Sequence, residues 1–211
     1  MGDNYGNVGI NAGYARFNAL DYGKVGAEGT LKGEFNNPDI GYALSANANA
    51  LIGNKNGFNG GVYAGLDFGK TTCSEFNLGV MADYTAAFAK NNVINVQNGD
   101  LTAIEADLDP KKSLKTGLSL GFTRNICCDE GRKLKMALTG GAEFHPEPTL
   151  DLESGQVINN KNLKKVSPFI GSNVEYSKQI NDKGQQIVFG AKCALSKTGT
   201  TYGEASIGFR F

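Results

Sequence analysis

Apolar and polar residues alternate with a period of two along most of this chain. In FNLGVMADYTAAFAK one set is Phe76, Leu78, Val80, Ala82, Tyr84, Ala86 and Phe88. The other is Asn77, Gly79, Met81, Asp83, Thr85, Ala87 and Ala89. In LKMALTGGAEFH, Leu134, Met136, Leu138, Gly140, Ala142 and Phe144 share a face opposite Lys135, Ala137, Thr139, Gly141, Glu143 and His145. Successive side chains of an extended strand point to opposite faces, so this pattern predicts strand and not helix. Ten such segments can be drawn, roughly 7–19, 22–35, 40–53, 60–71, 76–90, 113–126, 133–146, 166–179, 185–197 and 201–211. They exceed the ~5–6 residues of an ordinary strand. They suit the ~9–11 residues that a tilted strand needs to cross a bilayer.

The connections differ in length by end. NNPD, TTCSE, CCDEGR and INDKG are short turns, whereas 91–112 and 147–165 are long and polar. All the long connections then lie at one end, as in barrels with short turns on one side of a membrane and longer loops on the other. The expected fold is all-β: a transmembrane antiparallel up-and-down β-barrel of about ten strands, one domain over 1–211. Eight strands is a second count. A hairpin within 93–108 (VINVQNGDLTAIEADL) joining the wall gives twelve and a real channel.

Two media can cover the apolar face. A soluble barrel turns it inward and a membrane barrel turns it outward. The polar face is rich in small residues with single charges of both signs: Lys24, Glu28, Lys32, Asp67, Asp83, Lys115, Lys135, Glu143, Glu175, Lys192, Glu204 and Arg210. Small residues with sparse, mixed charges suit a confined lumen, and those residues are expected to line it. The aromatics of the apolar face gather at the short-turn end: Phe35, Tyr42, Phe68, Phe76, Phe122, Tyr176, Phe189, Phe209 and Phe211. They are expected to form an interfacial girdle. Lys70, Arg124 and Lys178 fall on the same face near strand ends, where they can snorkel.

Composition narrows the classes. Lys+Arg and Asp+Glu are 21 each, so no basic excess points to nucleic acid. Glycine is 29 of 211 residues and is spread along the chain, which argues for close backbone approach and not for a linker. No apolar run reaches the ~18–20 residues of a membrane helix, a criterion blind to membrane strands.

The segment GEASIGFRF splits into Ala205, Ile207, Phe209 and Phe211 against Glu204, Ser206, Gly208 and Arg210. It resembles the C-terminal strand of bacterial outer-membrane β-barrel proteins. The resemblance implies a lipid bilayer as partner, recognition of that strand by the barrel-assembly machinery, and an outer-membrane location. A monomer is expected. MGDNYGNVGI lacks a basic start and an apolar core, so the signal peptide is taken as already removed.

Candidate chemistry is thin. His145, beside Glu143 and Glu147, is the sole histidine, and a His–Glu pair lacks a nucleophile. The chain is not expected to be an enzyme; a hydrolase using His145 is the minor alternative. Cys73 and the Cys127–Cys128 pair lie in turns at the same end, which allows a disulfide from Cys73 to either. Cys193 falls on the apolar face. The cysteines lack metal-site spacing, so no metal or cofactor is expected. NGDLTAIEADLDPKK has alternating acids that suit Ca²⁺ but not EF-hand spacing. Two functions lead: a small structural barrel or narrow pore with a mixed-charge lumen, and a surface-loop adhesin or receptor.

Overall fold

The computed structural model describes residues 4–17, 20–35, 37, 39–53, 56–87, 90–97, 100–107, 111–128, 131–144, 149–151, 157–159, 166–197 and 201–211. Ten strands close a barrel: β1 (Tyr5–Phe17), β2 (Leu20–Glu34), β3 (Ile40–Ile52), β4 (Gly57–Phe68), β5 (Ser74–Ala87), β8 (Lys111–Asn125), β9 (Arg132–Phe144), β12 (Val166–Gln179), β13 (Gln186–Ser196) and β14 (Thr201–Arg210). Each pairs antiparallel with its neighbours in chain order. β14 meets β1 from Gly9↔Arg210 to Phe17↔Tyr202. Phe211 and Val8 then exchange backbone hydrogen bonds of 2.8 and 3.2 Å, which extends the seam.

Two hairpins interrupt the series, β6 (Lys90–Gln97) with β7 (Asp100–Asp107), and β10 (Thr149–Asp151) with β11 (Val157–Asn159). Each forms a separate two-stranded sheet. The hairpin anticipated in 93–108 therefore exists without adding wall strands. β5 and β8 pair directly from Ser74↔Arg124 to Ala87↔Lys111, leaving no open edge between them. Asn91, Asn92 and Asn95 also break any continuous apolar row along β6.

The barrel is inverted relative to a water-soluble one. Val8 is 64% exposed and Leu118 62%, whereas Lys24 is 6% and Glu143 0% exposed. Apolar side chains facing outward in this number require an apolar medium. The interior is narrow, and glycine creates room in it. Gly65 and Gly79 are cross-strand partners, and the Tyr63 ring lies over both. A Cβ on Gly65 would come 2.1 Å from the Tyr63 hydroxyl. Gly117 and Gly141 pair across β8 and β9 so closely that a Cβ on Gly141 would meet the Gly117 Cα at 2.5 Å.

Aromatics pack in chains on the outer wall at the short-turn end. Phe76 sits between Phe68 and Phe122, with centroids at 6.2 and 5.1 Å; Phe35 meets Tyr42 at 5.5 Å and Tyr176 meets Phe189 at 6.3 Å. Phe209 and Phe211 are exposed nearby on β14 and just beyond it. The aromatics are not confined to that end. Tyr14, Phe58, Tyr84 and Phe144 point outward near the other end. Among the described residues, each of their strands contributes one residue to this second row. Arg124 and Lys178 are exposed. Lys70 departs from the expected outward position and bonds to Glu34 beside the barrel mouth. Gly69, at φ 63, ends the strand and breaks the alternation there.

Candidate functional site

The interior carries charge in two levels. At the middle level, Asp83, Lys115 and Glu143 are consecutive partners across β5, β8 and β9. Lys192 and Glu204 are partners across β13 and β14. Lys192 reaches over the lumen to Asp83 and joins the two rows. Lys24 of β2 bonds to Glu204 at 2.9 Å, and Lys115 lies 3.5 Å from Glu143. The Tyr202 hydroxyl donates to Glu204, and Ser113 donates to Glu143. Lys115 also stands 5.9 Å from the Tyr202 ring centroid. Three cations thus face three carboxylates, and each contact offsets part of the cost of taking charge out of water.

The second level lies nearer the short turns. Arg210 bridges Glu28 at 2.7 Å and Glu175 at 3.1 Å. Lys32 bridges Asp67 and Glu75, both at 3.1 Å. Among the described residues Lys135 has no carboxylate in contact, and it lies 6.0 Å from the Tyr63 ring centroid. Outside the spanning strands, the hydrogen bond to Glu34 holds the Lys70 ammonium above the ordinary lysine range.

The space around these groups is unequal. Toward the short turns the lumen widens into a cavity of about 850 Å³, bordered by Glu28, Lys32, Asp67, Lys135, Glu175 and Arg210. At the middle level a void of about 10 Å³ lies between Asp83, Lys115, Phe169, Lys192 and Tyr202. That holds about one water molecule. Toward the long connections, Phe17, Tyr22, Leu51 and Tyr202 pack with Ala15 and Ala194 into a buried apolar cluster. Beside it, Asn49 donates to Asn59 at 3.3 Å, and Asn59 donates to Thr85 at 2.9 Å.

The sequence reading missed this plug, although its signal was present. Phe17 shares parity with Asn7 and Asn11, Tyr22 with Lys24, Leu51 with Asn49, and Tyr202 with Glu204. Apolar residues on the polar parity of four strands, all near one end, point to an occluded lumen.

Among the cysteines, Cys73 and Cys128 form a disulfide, and Cys127 and Cys193 are free and exposed. The bond ties the turn after β4 to the short 3₁₀ turn Ile126–Cys128 that follows β8. Cys193 lies on the outer wall, 3.1 Å from the Ser172 hydroxyl. His145 and Glu147 lie outside the described residues, as does part of NGDLTAIEADLDPKK.

No family model and no curated protein matches the chain. Solved structures do. The outer membrane protease OmpT of Escherichia coli matches over 100% of this chain and 93% of its own, with TM-score 0.50 and 6% identity. The β domain of the Bordetella autotransporter BrkA matches over 99% and 98%, with TM-score 0.47 and 9% identity. Pseudomonas aeruginosa OpdL matches over 99% and 98%, with TM-score 0.38 and 8% identity. Identities this low describe a shared fold. That fold is the bacterial outer-membrane β-barrel, here closed by ten antiparallel strands in up-and-down order. The neighbours' roles differ, so the fold leaves the task of this chain open.

Proposed function

We propose that this protein is an integral outer-membrane barrel, acting as one unit over 1–211, with a lumen closed at rest: a structural barrel and not a standing pore. The carrying observation is the occluded half of the lumen, the Phe17–Tyr22–Leu51–Tyr202 cluster backed by the Asp83–Lys192 contact. The two outward aromatic rows suit a bilayer-spanning wall. Phe58 and Phe68 stand ten residues apart on β4. That is about 33 Å along the strand at about 3.3 Å per residue. At a tilt of about 40° it becomes about 25 Å of height, the apolar band of such barrels. In this reading the charges named from the sequence form an internal network, and the aromatics named with them anchor the short-turn interface. Short turns face the periplasm, Phe211 is read by the assembly machinery, and the barrel works as a monomer.

Planar-bilayer recording of the refolded protein tests this. Membranes that stay silent while the protein is demonstrably inserted are the expected result. Regular conductance steps would overturn the closed barrel and favour the narrow pore.

A surface-binding role is a second reading, supported by the β6–β7 and β10–β11 hairpins, which pair among themselves and leave the wall intact. The ligand would be met by these hairpins. Deleting residues 90–107 should then abolish binding to cells or matrix and spare folding.

A further inference from the structure

Three of the four cysteines meet at one corner of the short-turn end. Cys73 is fixed from the β5 side. Asn125 donates from its backbone to the Cys73 carbonyl at 2.7 Å and from its side chain to the Thr72 carbonyl at 3.0 Å. The Cys73 backbone donates to the Thr71 hydroxyl at 3.3 Å. Facing it, Ile126–Cys128 make one short 3₁₀ turn. Cys128 holds the bond to Cys73, and its neighbour Cys127 is a free, exposed thiol. Both adopt φ 55, and among the described residues they are the only non-glycine residues at positive φ. L residues avoid that region, and two in succession keep it only where the surroundings hold them there. The reach is short. The Cα atoms of Cys73 and Cys128 are 4.6 Å apart, and one trans peptide adds about 3.8 Å, so the Cys127 Cα stands within about 8.4 Å of the Cys73 Cα. A disulfide spans ~4.4–6.8 Å between Cα atoms, a distance that rotation of the Cys127–Cys128 turn can make up.

We propose that this corner is a thiol–disulfide exchange site, in which the bond to Cys73 passes between Cys128 and Cys127. The Cys127 thiol gives its proton to water, and the thiolate attacks the Cys73 Sγ. The Cys73–Cys128 bond breaks, a Cys73–Cys127 bond forms, and Cys128 leaves as a thiolate that takes up a proton. One disulfide replaces another, so no oxidant or reductant is consumed and the number of free thiols is unchanged. Cys193 supplies no further partner, since β13 is not adjacent to β5 or β8 in the wall. Both isomers tie together the same two turns, the second with one residue fewer on the β8 side. Exchange therefore reshapes the turn and leaves the wall closed, and loss of either member of the pair leaves the other to hold the cross-link. The step needs only these three cysteines and is independent of whether the lumen conducts.

Differential labelling of the refolded, oxidised protein tests the exchange. Free thiols are blocked with maleimide, the disulfide is reduced, and the thiols so released take iodoacetamide. Tandem mass spectrometry of the tryptic peptide 125–132 then reads the label on Cys127 and on Cys128. The expected result is maleimide on Cys128 in at least about tenfold more molecules after a mildly alkaline hold than after an acid one, because the thiolate is the attacking species. Maleimide confined to Cys127 after both holds overturns the proposal. So does maleimide on Cys128 in C127S, which lacks the attacking thiol, and so does an exchange rate that rises with protein concentration. C128S supplies a second arm. Refolded and oxidised, it should form the Cys73–Cys127 bond and leave Cys193 alone to take maleimide, whereas maleimide on Cys73, Cys127 and Cys193 together overturns the exchange. Heat-modifiable gel mobility establishes that each variant is folded. The native arm needs no variant and decides the matter by itself should C128S fail to fold.

Discussion

Lys192 on β13 and Asp83 on β5 meet across the lumen, 109 residues apart in sequence. Their strands are not neighbours in the wall, so the pair joins opposite sides of the barrel. It links the row Asp83–Lys115–Glu143 to the pair Lys192–Glu204.

Removing one partner strands the other charge in a narrow interior. D83N or K192M is expected to lose about 3–5 kcal/mol of stability. The double variant D83N/K192M should recover most of that loss. Urea unfolding in lipid vesicles measures all three, and equal losses in the single and double variants would show that the pair is not coupled.

The apolar plug makes a separate prediction about conduction. F17A/Y202A removes two aromatic rings from the occluded half. Each truncation should cost about 3–5 kcal/mol. Where the variant remains folded, bilayer recordings should show openings that the native protein lacks. Continued silence would assign closure to the charge network alone.

The disulfide closes a separation of 55 residues between Cys73 and Cys128. Chain-entropy reasoning gives an upper stabilisation of about 4 kcal/mol for such a loop. C73S should lower the denaturant midpoint accordingly. Thiol alkylation of the unfolded chain should count two groups without reductant and four with it, the free pair being Cys127 and Cys193.

The outer wall is tested by charge. Leu118 is 62% exposed near the middle of β8. An arginine there faces lipid at mid-depth, so L118R should cost about 2–4 kcal/mol. The same change at the outward Phe144, at the end of β9, should cost about 0–1 kcal/mol because the side chain reaches the interface. Vesicle folding titrations compare the two, and equal costs would contradict the depth assigned to these rows.

The alternation by itself determined the ten wall segments and which residues share a face, and the small residues and sparse mixed charges of the polar face decided that the apolar one turns outward. A period of two is a local property, set by the geometry of each extended segment. The four short turns were legible for the same reason. The hairpin in β6 and β7 was legible as a hairpin but not as a bystander, because wall membership depends on β5 finding β8. Contacts between distant strands were not written locally either. Which carboxylate takes Lys192, whether Lys70 turns in or out, and how Phe17, Tyr22, Leu51 and Tyr202 close one half all follow from strand register around a closed wall. The alternation gives each side chain a face, and only closure of the barrel gives it a height and an opposite number.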